Sequence, residues 1–590
     1  MTAKYCIGID LGTTHCAMAR VALGEGAAES EVLAVPQLVG AGGLEHRRLL
    51  PSFIYLPPEA EGPKPLPWDA ERAFAVGDHA RGRGAEVPGR VVASSKSWLC
   101  HPNVDRRAGM LPLDAAEDVE TVSPVEAAFR YLEHLIEAYD HRYAETDGPF
   151  VEQRVVLTVP ASFDAAAREL TVEAALAAGI EDLILLEEPQ AALYAWLEQA
   201  GDAWRKQLAV GDVVLVVDIG GGTSDFSAIE VHEEEGELSL VRVAVGDHIL
   251  LGGDNMDLAL AHSIRARLEQ EGVELDGWQM NALAHAARAA KEKLLGDPDQ
   301  GAVPVVIPRR GSQLVGGSIR TEVERDAVTR LVLDGFFPSV DADAAPATRS
   351  RVGLTRLGLP YASDAAITKH LAAFLRKQGS LAPTSVLFNG GVMRSETLRE
   401  RLKGTLDGWL DAPTRTLVGG DLDLAVARGA AYYGRTREGH GIRIRGGTAQ
   451  AYYVGIESAM PAVPGLEPPI SLMCVAPFGM EEGSEAELPP HQLAVVVGEP
   501  VTFRFFGSHV RRHDAPGATF DRWSRDEVVE LAPIAVTLPA EDRPEGDVVP
   551  VSLHASITPV GTLLLEAVPE TPRKEGERWK VELSVRGEAG

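Results

Sequence analysis

Two segments about two hundred residues apart constrain this chain more than any other feature. Ile7-Gly8-Ile9-Asp10-Leu11-Gly12-Thr13-Thr14 stands near the start, and Val216-Val217-Asp218-Ile219-Gly220-Gly221-Gly222-Thr223-Ser224-Asp225 repeats its pattern. Each reads as an apolar strand, an Asp, a Gly/Thr turn and a second strand, which is a β-hairpin. Glycine at such a turn lets backbone N–H groups approach a phosphate closely. A carboxylate at the end of the first strand can hold the accompanying Mg²⁺, directly or through water. One glycine-rich turn alone is usually structural. Two in like context imply lobes that clamp a nucleotide triphosphate between them.

At 590 residues the chain exceeds one core, and its length suggests about three or four domains. An apolar fraction of 45% and a charged fraction of 24% are those of a globular protein. The start, Met1-Thr2-Ala3-Lys4-Tyr5-Cys6, lacks signal-peptide character. The longest apolar runs are strand-sized, so no membrane span is expected. Cys6, Cys16, Cys100 and Cys474 have neither metal spacing nor disulfide density, which suggests reduced core thiols in a cytoplasmic protein. A net charge of −30 opposes nucleic acid or membrane as a main partner.

Up to about residue 440, strand and helix patterns alternate, as in an α/β architecture. Val155–Val159 reads as a buried strand, followed by a helix capped by Asp164 and ending near Gly179. Ser123-Pro124-Val125-Glu126 has capping-box spacing ahead of Phe129, Leu132, Leu135, Ile136 and Tyr139 at helical spacing. Pro57–Pro67 and Asp341–Ser350 read as loops. Beyond residue 440, period-two strands take over: Val551 to Ile557, a Pro559-Val560-Gly561 turn, Leu563 to Ala567, and Val581 to Val585. That texture predicts a β-sandwich or barrel.

Further motifs fall in order. Glu187-Glu188-Pro189-Gln190-Ala191-Ala192 sets a carboxylate before a proline; Gly390-Gly391-Val392-Met393-Arg394 follows the strand Val386-Leu387-Phe388; and Asp423 precedes the small-residue run Gly429-Ala430-Ala431. With the hairpins, these resemble the five-part signature of the actin, hexokinase and heat-shock ATPase superfamily. Val159-Pro160-Ala161, Glu188-Pro189, Gly246-Asp247 and Gly252-Gly253 narrow the resemblance to the 70-kilodalton heat-shock (DnaK-type) chaperones.

The resemblance implies a two-lobed, actin-like ATPase domain of duplicated ribonuclease-H-like lobes over 1–438, a linker over 439–449 and a β-sandwich substrate domain over 450–590. It implies ATP/ADP and Mg as ligands. Gly12, Thr13, Thr14, Gly220, Gly221 and Gly222 would cradle the phosphates, with Asp10 and Asp218 on Mg²⁺. Lys96 stands at the family's catalytic lysine, while Glu188 and Thr223 would orient the attacking water. Gly252, Gly253, Gly390, Gly391, Arg394 and Asp423 would complete the nucleotide site, and Lys291 would stack on the adenosine. Beside Lys291 the pattern departs: Arg288 replaces an acid, Glu292 a basic residue, and Leu295 and Val392 replace serines. Pro189 and Arg168 match positions that relay nucleotide state between domains. His15 and His248 lie beside the motifs without a partner at metal-ligand spacing and read as incidental.

Two departures bear on function. Ile442-Arg443-Ile444-Arg445-Gly446-Gly447-Thr448 stands where the family has an acidic, leucine-rich linker, and no helical lid is expected before Gly590. Extra chain lies around Asp341–Thr368. The leading expectation is a slow ATPase chaperone that binds extended apolar polypeptide, with J-domain and nucleotide-exchange partners. The alternatives are an ATP-sensing scaffold for one dedicated partner and, behind it, a small-molecule kinase on the same fold.

Overall fold

The computed structural model describes residues 3–584, apart from 25–28, 41, 102, 235–236, 298, 310–316, 349–357, 380, 443, 446–447, 449, 458–467, 481–483, 490–492, 509, 512, 525–526, 532, 541–542, 559–561 and 575. The Pro559-Val560-Gly561 turn, Val585 and parts of the 341–368 and 442–448 segments lie outside the described residues. The chain divides into two compact units. One comprises Met1–Phe163, Glu169–Leu238 and Val245–Arg443; the other comprises Asp164–Arg168, Ser239–Ala244 and Ile444–Gly590.

The first unit holds two sheets of matching plan. In one, β1 (Tyr5–Leu11) and β2 (His15–Ala22) form the first hairpin, and β3 (Arg154–Val159) and β4 (Leu183–Glu187) extend it in parallel, in the order β4-β3-β1-β2. In the other, β5 (Val213–Ile219) and β6 (Ser224–Glu234) form the second hairpin, and β7 (Ser385–Asn389) lies parallel to β5. Every residue of β5 is buried, as expected of a strand covered on both faces. Register gives each motif carboxylate a set neighbour: Asp10 stands beside Thr158 of β3, and Asp218 beside Asn389 of β7.

The helices that matter for the site are α1 (Asp78–Gly84), α2 (Ser95–Leu99), α3 (Pro124–Asp147), α4 (Ala165–Ala177), α5 (Glu188–Ala200), α6 (Gly253–Gln270), α7 (Gly277–Gly296), α8 (Arg325–Phe336) and α9 (Ala425–Thr436). Ser123 caps α3 by accepting from the Glu126 N–H at 2.9 Å, with Pro124 in the first turn. The reciprocal half of the box is not made, because Glu126 turns to Arg130 instead. Asp164 accepts from the Ala167 N–H at 2.6 Å at the head of α4, and Gly179 takes a positive φ of 90° beyond its end.

Small residues let α5, α9 and β1 pack backbone to backbone. A Cβ on Gly429 would lie 1.7 Å from the Ala191 carbonyl oxygen, and one on Gly8 would lie 2.2 Å from that of Ala427. The run Gly429-Ala430-Ala431 therefore sits against α5, on the side where the two sheets meet.

In the second unit, β8 (Ala451–Glu457), β9 (Ile470–Ala476) and β10 (Phe505–Ser508) belong to one five-stranded sheet. β11 (Asp547–Ile557), β12 (Thr562–Pro569) and β13 (Trp579–Ser584) form the antiparallel body of another. Tyr452, Val454, Met473 and Val475 share one core with Val551, Ala555, Leu563, Leu565, Val581 and Leu583, so alternate residues of both sheets turn inward. Within the expected linker, Ile444–Arg445 is a two-residue strand parallel to Leu240–Val241. Among the described residues no helix is long and apolar enough to cross a membrane.

Packing predicts opposite signs for two glycine substitutions. Gly429→Ala should destabilise the chain by about 1–3 kcal/mol, because backbone rather than a movable side chain blocks the new methyl. Gly335→Ala, on the open face of α8, should stabilise by roughly 0.5–1 kcal/mol. Urea denaturation of the two variants measures both.

Candidate nucleotide site

The two hairpin turns face each other. A Cβ on Gly221 would meet Thr14 Cγ2 at 2.1 Å, and one on Gly222 would meet Ser97 Oγ at 2.7 Å and Thr13 Cγ2 at 2.9 Å. Only glycine permits this approach. Between the turns opens a cleft of about 260 Å³. Asp10, Gly12, Thr13, Thr14, Lys96, Glu188, Asp218, Gly220, Gly221 and Thr223 line its floor, and Gly253, Lys291, Gly390, Gly391, Arg394 and Asp423 line its walls. Gly222 and Gly252 sit behind the turns, where a Cβ on Gly252 would lie 2.7 Å from the Gly220 carbonyl oxygen. Pro189, the second residue of α5, is buried and does not line the cleft, and Arg168, on the first turn of α4, is buried.

Lys96 comes from the short helix α2 and Glu188 from the first position of α5, where the helix dipole favours a carboxylate. Lys96 Nζ donates to Glu188 Oε1 at 2.5 Å. Burial raises the Glu188 carboxyl, and Lys96 opposes that rise. Burial works against the Lys96 charge, but Glu188 and Asp10 together hold the ammonium above its ordinary value. Burial and then Glu188 push the Asp10 carboxyl up to about 7. Burial and Glu188 likewise carry Asp218 well above the carboxylate range, although Asn389 Nδ2 donates to its Oδ2 at 2.9 Å.

The cleft floor is thus short of positive charge. Asp10 and Asp218 offer hard oxygen donors suited to Mg²⁺, which takes one or two carboxylates together with phosphate and water. Among the described residues no three acidic, histidine or cysteine side chains form a closed metal cage.

The walls explain the departures beside Lys291. Lys291 Nζ binds Asp257 Oδ1 at 2.6 Å and the Gly253 carbonyl at 2.8 Å, so its hydrocarbon stem is what remains for a ligand. Arg288 pairs with Asp254 at 2.5 Å and Asp257 at 2.8 Å and lies over the Phe53 ring. Glu292 pairs with Arg81 from α1 of the other half. Arg394 pairs with Asp423 at 2.9 Å with its side chain largely exposed at the mouth, where its flat guanidinium is open to stacking.

Several participants were missed in the sequence. Asn389 directly precedes the Gly390-Gly391 pair, and only strand register brings it to Asp218. Ser94, at a left-handed φ of 53°, donates to Asp254 Oδ2 across the cleft at 2.5 Å. His15 lines the cleft and contacts Thr14 and Arg81. The charge swaps at Arg288 and Glu292 were visible, but their partners lie some 30 and 200 residues away in sequence.

The chain is similar to known proteins over part of its length. Residues 75–335 match the family model described as Hsp70 protein. Chaperone protein HscA of Cronobacter sakazakii is 33% identical over 344 residues, which cover 56% of this chain and 47% of that protein. The HscA homolog of Methylococcus capsulatus is 32% identical over 305 residues, 49% of this chain and 42% of its own. That of Pseudomonas aeruginosa is 33% identical over 306 residues, with the same coverage of 49% and 42%. The chain matches somewhat less than half the length of these curated relatives.

The Asp10 carboxyl supplies a pH test. Its value is about 7 in the folded chain against 3.8 for the free group. A raised folded value contributes stability that is fully present below about 3.8 and lost as pH rises through 7. Asp10→Asn cannot ionise, so it should raise the Tm of the ligand-free protein more at pH 8 than at pH 5. Thermal unfolding at the two pH values checks this, and an equal gain at both would contradict it.

Proposed function

We propose that this chain, which matches the Hsp70 family model over residues 75–335, is a chaperone of the Hsp70 type: an ATPase whose nucleotide state governs its hold on extended polypeptide. The observation that carries this reading is the pair of opposed glycine turns over a floor where Lys96 faces Asp10, Glu188 and Asp218. In this reading residues 1–438 are an actin-like nucleotide domain, 439–449 join it to the rest, and 450–590 are a β-sandwich that receives the polypeptide.

The polyphosphate lies between the turns, against the backbone N–H groups around Gly12-Thr13-Thr14 and Gly220-Gly221-Gly222. Lys96 offsets charge on the transferring phosphoryl group. Glu188 and Thr223 align a water in line with the γ-phosphorus. The water oxygen bonds to phosphorus as the bond to the β–γ bridging oxygen breaks, giving ADP, phosphate and a proton. Asp10 and Asp218 would hold Mg²⁺, which supplies further neutralisation of the phosphates when bound. Most of the rate gain asked of this set is positioning and charge stabilisation.

The walls suit an adenosine: the Lys291 stem and Arg394 guanidinium flank backbone at Gly390-Gly391 and apolar Leu295 and Val392. For the second unit, support comes from two sheets with one shared apolar core, a frame on which extended peptide can pair by backbone hydrogen bonds. Client polypeptide, a J-domain protein and an exchange factor are the partners this reading names. All four cysteines are free thiols, which suits the cytoplasm.

Purified full-length protein with ATP and Mg²⁺ should release phosphate slowly and should release an apolar peptide on ATP addition. Lys96→Met should lower the turnover rate by about 100-fold or more while nucleotide affinity changes only severalfold. Absence of both hydrolysis and nucleotide-dependent peptide release in the unsubstituted chain would overturn the proposal.

A further inference from the structure

His15 opens β2, one residue past the phosphate turn, and its ring lines the cleft. Both ring nitrogens have neighbours. Nδ1 lies 3.3 Å from Thr14 Oγ1, and Nε2 lies 3.3 Å from Nη1 of Arg81. The other arm of that guanidinium pairs with Glu292, which α7 presents from the opposite side of the cleft. A guanidinium has donors only, so Nε2 must be the acceptor. The imidazole is then neutral and carries its proton on Nδ1. That proton points at Thr14 Oγ1, so Thr14 accepts on this side. The Thr14 methyl packs toward Gly221, where a Cβ would meet Cγ2 at 2.1 Å, and this fixes the side chain's orientation.

We propose that Arg81 and His15 are positioning residues that hold the imidazole as its Nδ1–H tautomer, so that the Thr14 hydroxyl turns its own proton to the nucleotide phosphates. Because Arg81 is braced by Glu292, the aim depends on the two sides of the cleft being closed. The inference rests on the nucleotide reading above. Burial and the neighbouring Arg81 lower the His15 ring to about 4, with Glu292 opposing and Arg288 and Arg394 adding to the effect, which agrees with a neutral ring at pH 7. Neither His15 nor Arg81 acts on the reacting atoms. Each acts through Thr14.

The test has a spectroscopic arm and a binding arm. Full-length protein labelled with ¹⁵N at its 16 histidines is compared with His15→Asn to assign the His15 signals. At pH 7 the ring should show a protonated Nδ1 and a bare Nε2, and Arg81→Met should move it toward the Nε2–H form. An Nε2–H or doubly protonated ring in the unsubstituted protein would overturn the relay. In the binding arm, calorimetry with Mg·ADP follows three variants. His15→Asn, which places an amide N–H where Nδ1–H stood, should bind within about threefold of the unsubstituted chain. His15→Gln and His15→Phe should weaken binding about tenfold, the loss expected for one hydrogen bond to a charged group. Equal losses for Asn and Gln would also overturn the relay. Failure of the unsubstituted chain to bind Mg·ADP would instead overturn the ATPase reading, while the ring spectrum would still judge the imidazole arrangement.

Discussion

The ion pair between Lys96 and Glu188 governs the centre of this molecule. One ammonium group answers three carboxylates, and burial raises the proton affinity of each of them. Such a cluster costs stability, because like charges out of water repel without screening. It persists because its members are mounted on elements that cannot drift apart: the ends of β1 and β5, the first residue of α5 and the short helix α2. Sites that hold an unfavourable charge pattern in a rigid frame are preorganised for a ligand of the missing sign. In the proposed reading, a cation bound with the polyphosphate would complete the balance here.

The halves of the first unit were legible in the sequence for a physical reason. A hairpin carrying a phosphate turn needs glycine at close-approach positions and a carboxylate at the strand end, and those requirements fall on contiguous residues. The cap at Ser123 and the strand at Val155–Val159 were readable on the same grounds, since capping and apolar runs are local. Strand partners were not readable. Thr158 reaches Asp10 and Asn389 reaches Asp218 through parallel register, which no local pattern encodes. Lys291 was found, but its engagement with Asp257 turns it from an ammonium donor into an apolar wall.

The charge exchanges around Lys291 show how compensation spreads. Arg288 finds two carboxylates on α6, and Glu292 finds Arg81 on α1. Each swap is satisfied by partners that a single sequence leaves unmarked, so isolated departures from a family pattern gain meaning only in three dimensions. His15 was read as incidental because its spacing excludes a metal site. Its hydrogen bonds to Thr14 and Arg81 use a different property of imidazole, the distinct roles of its two nitrogens.

The contact between α5 and α9 carries one more consequence. Where Gly429 meets Ala191, main chain touches main chain, and beside that point Tyr194 of α5 packs on Tyr433 and Tyr432 of α9 while Arg428 pairs with Glu198. Interdigitated surfaces resist rotation because rotamers must reorganise before one helix can slide past the other. The tyrosine rings and the Arg428–Glu198 pair are such teeth, so this crossing is keyed. The glycine sets how near the two helices come, and the aromatic rings fix how each is turned against the other.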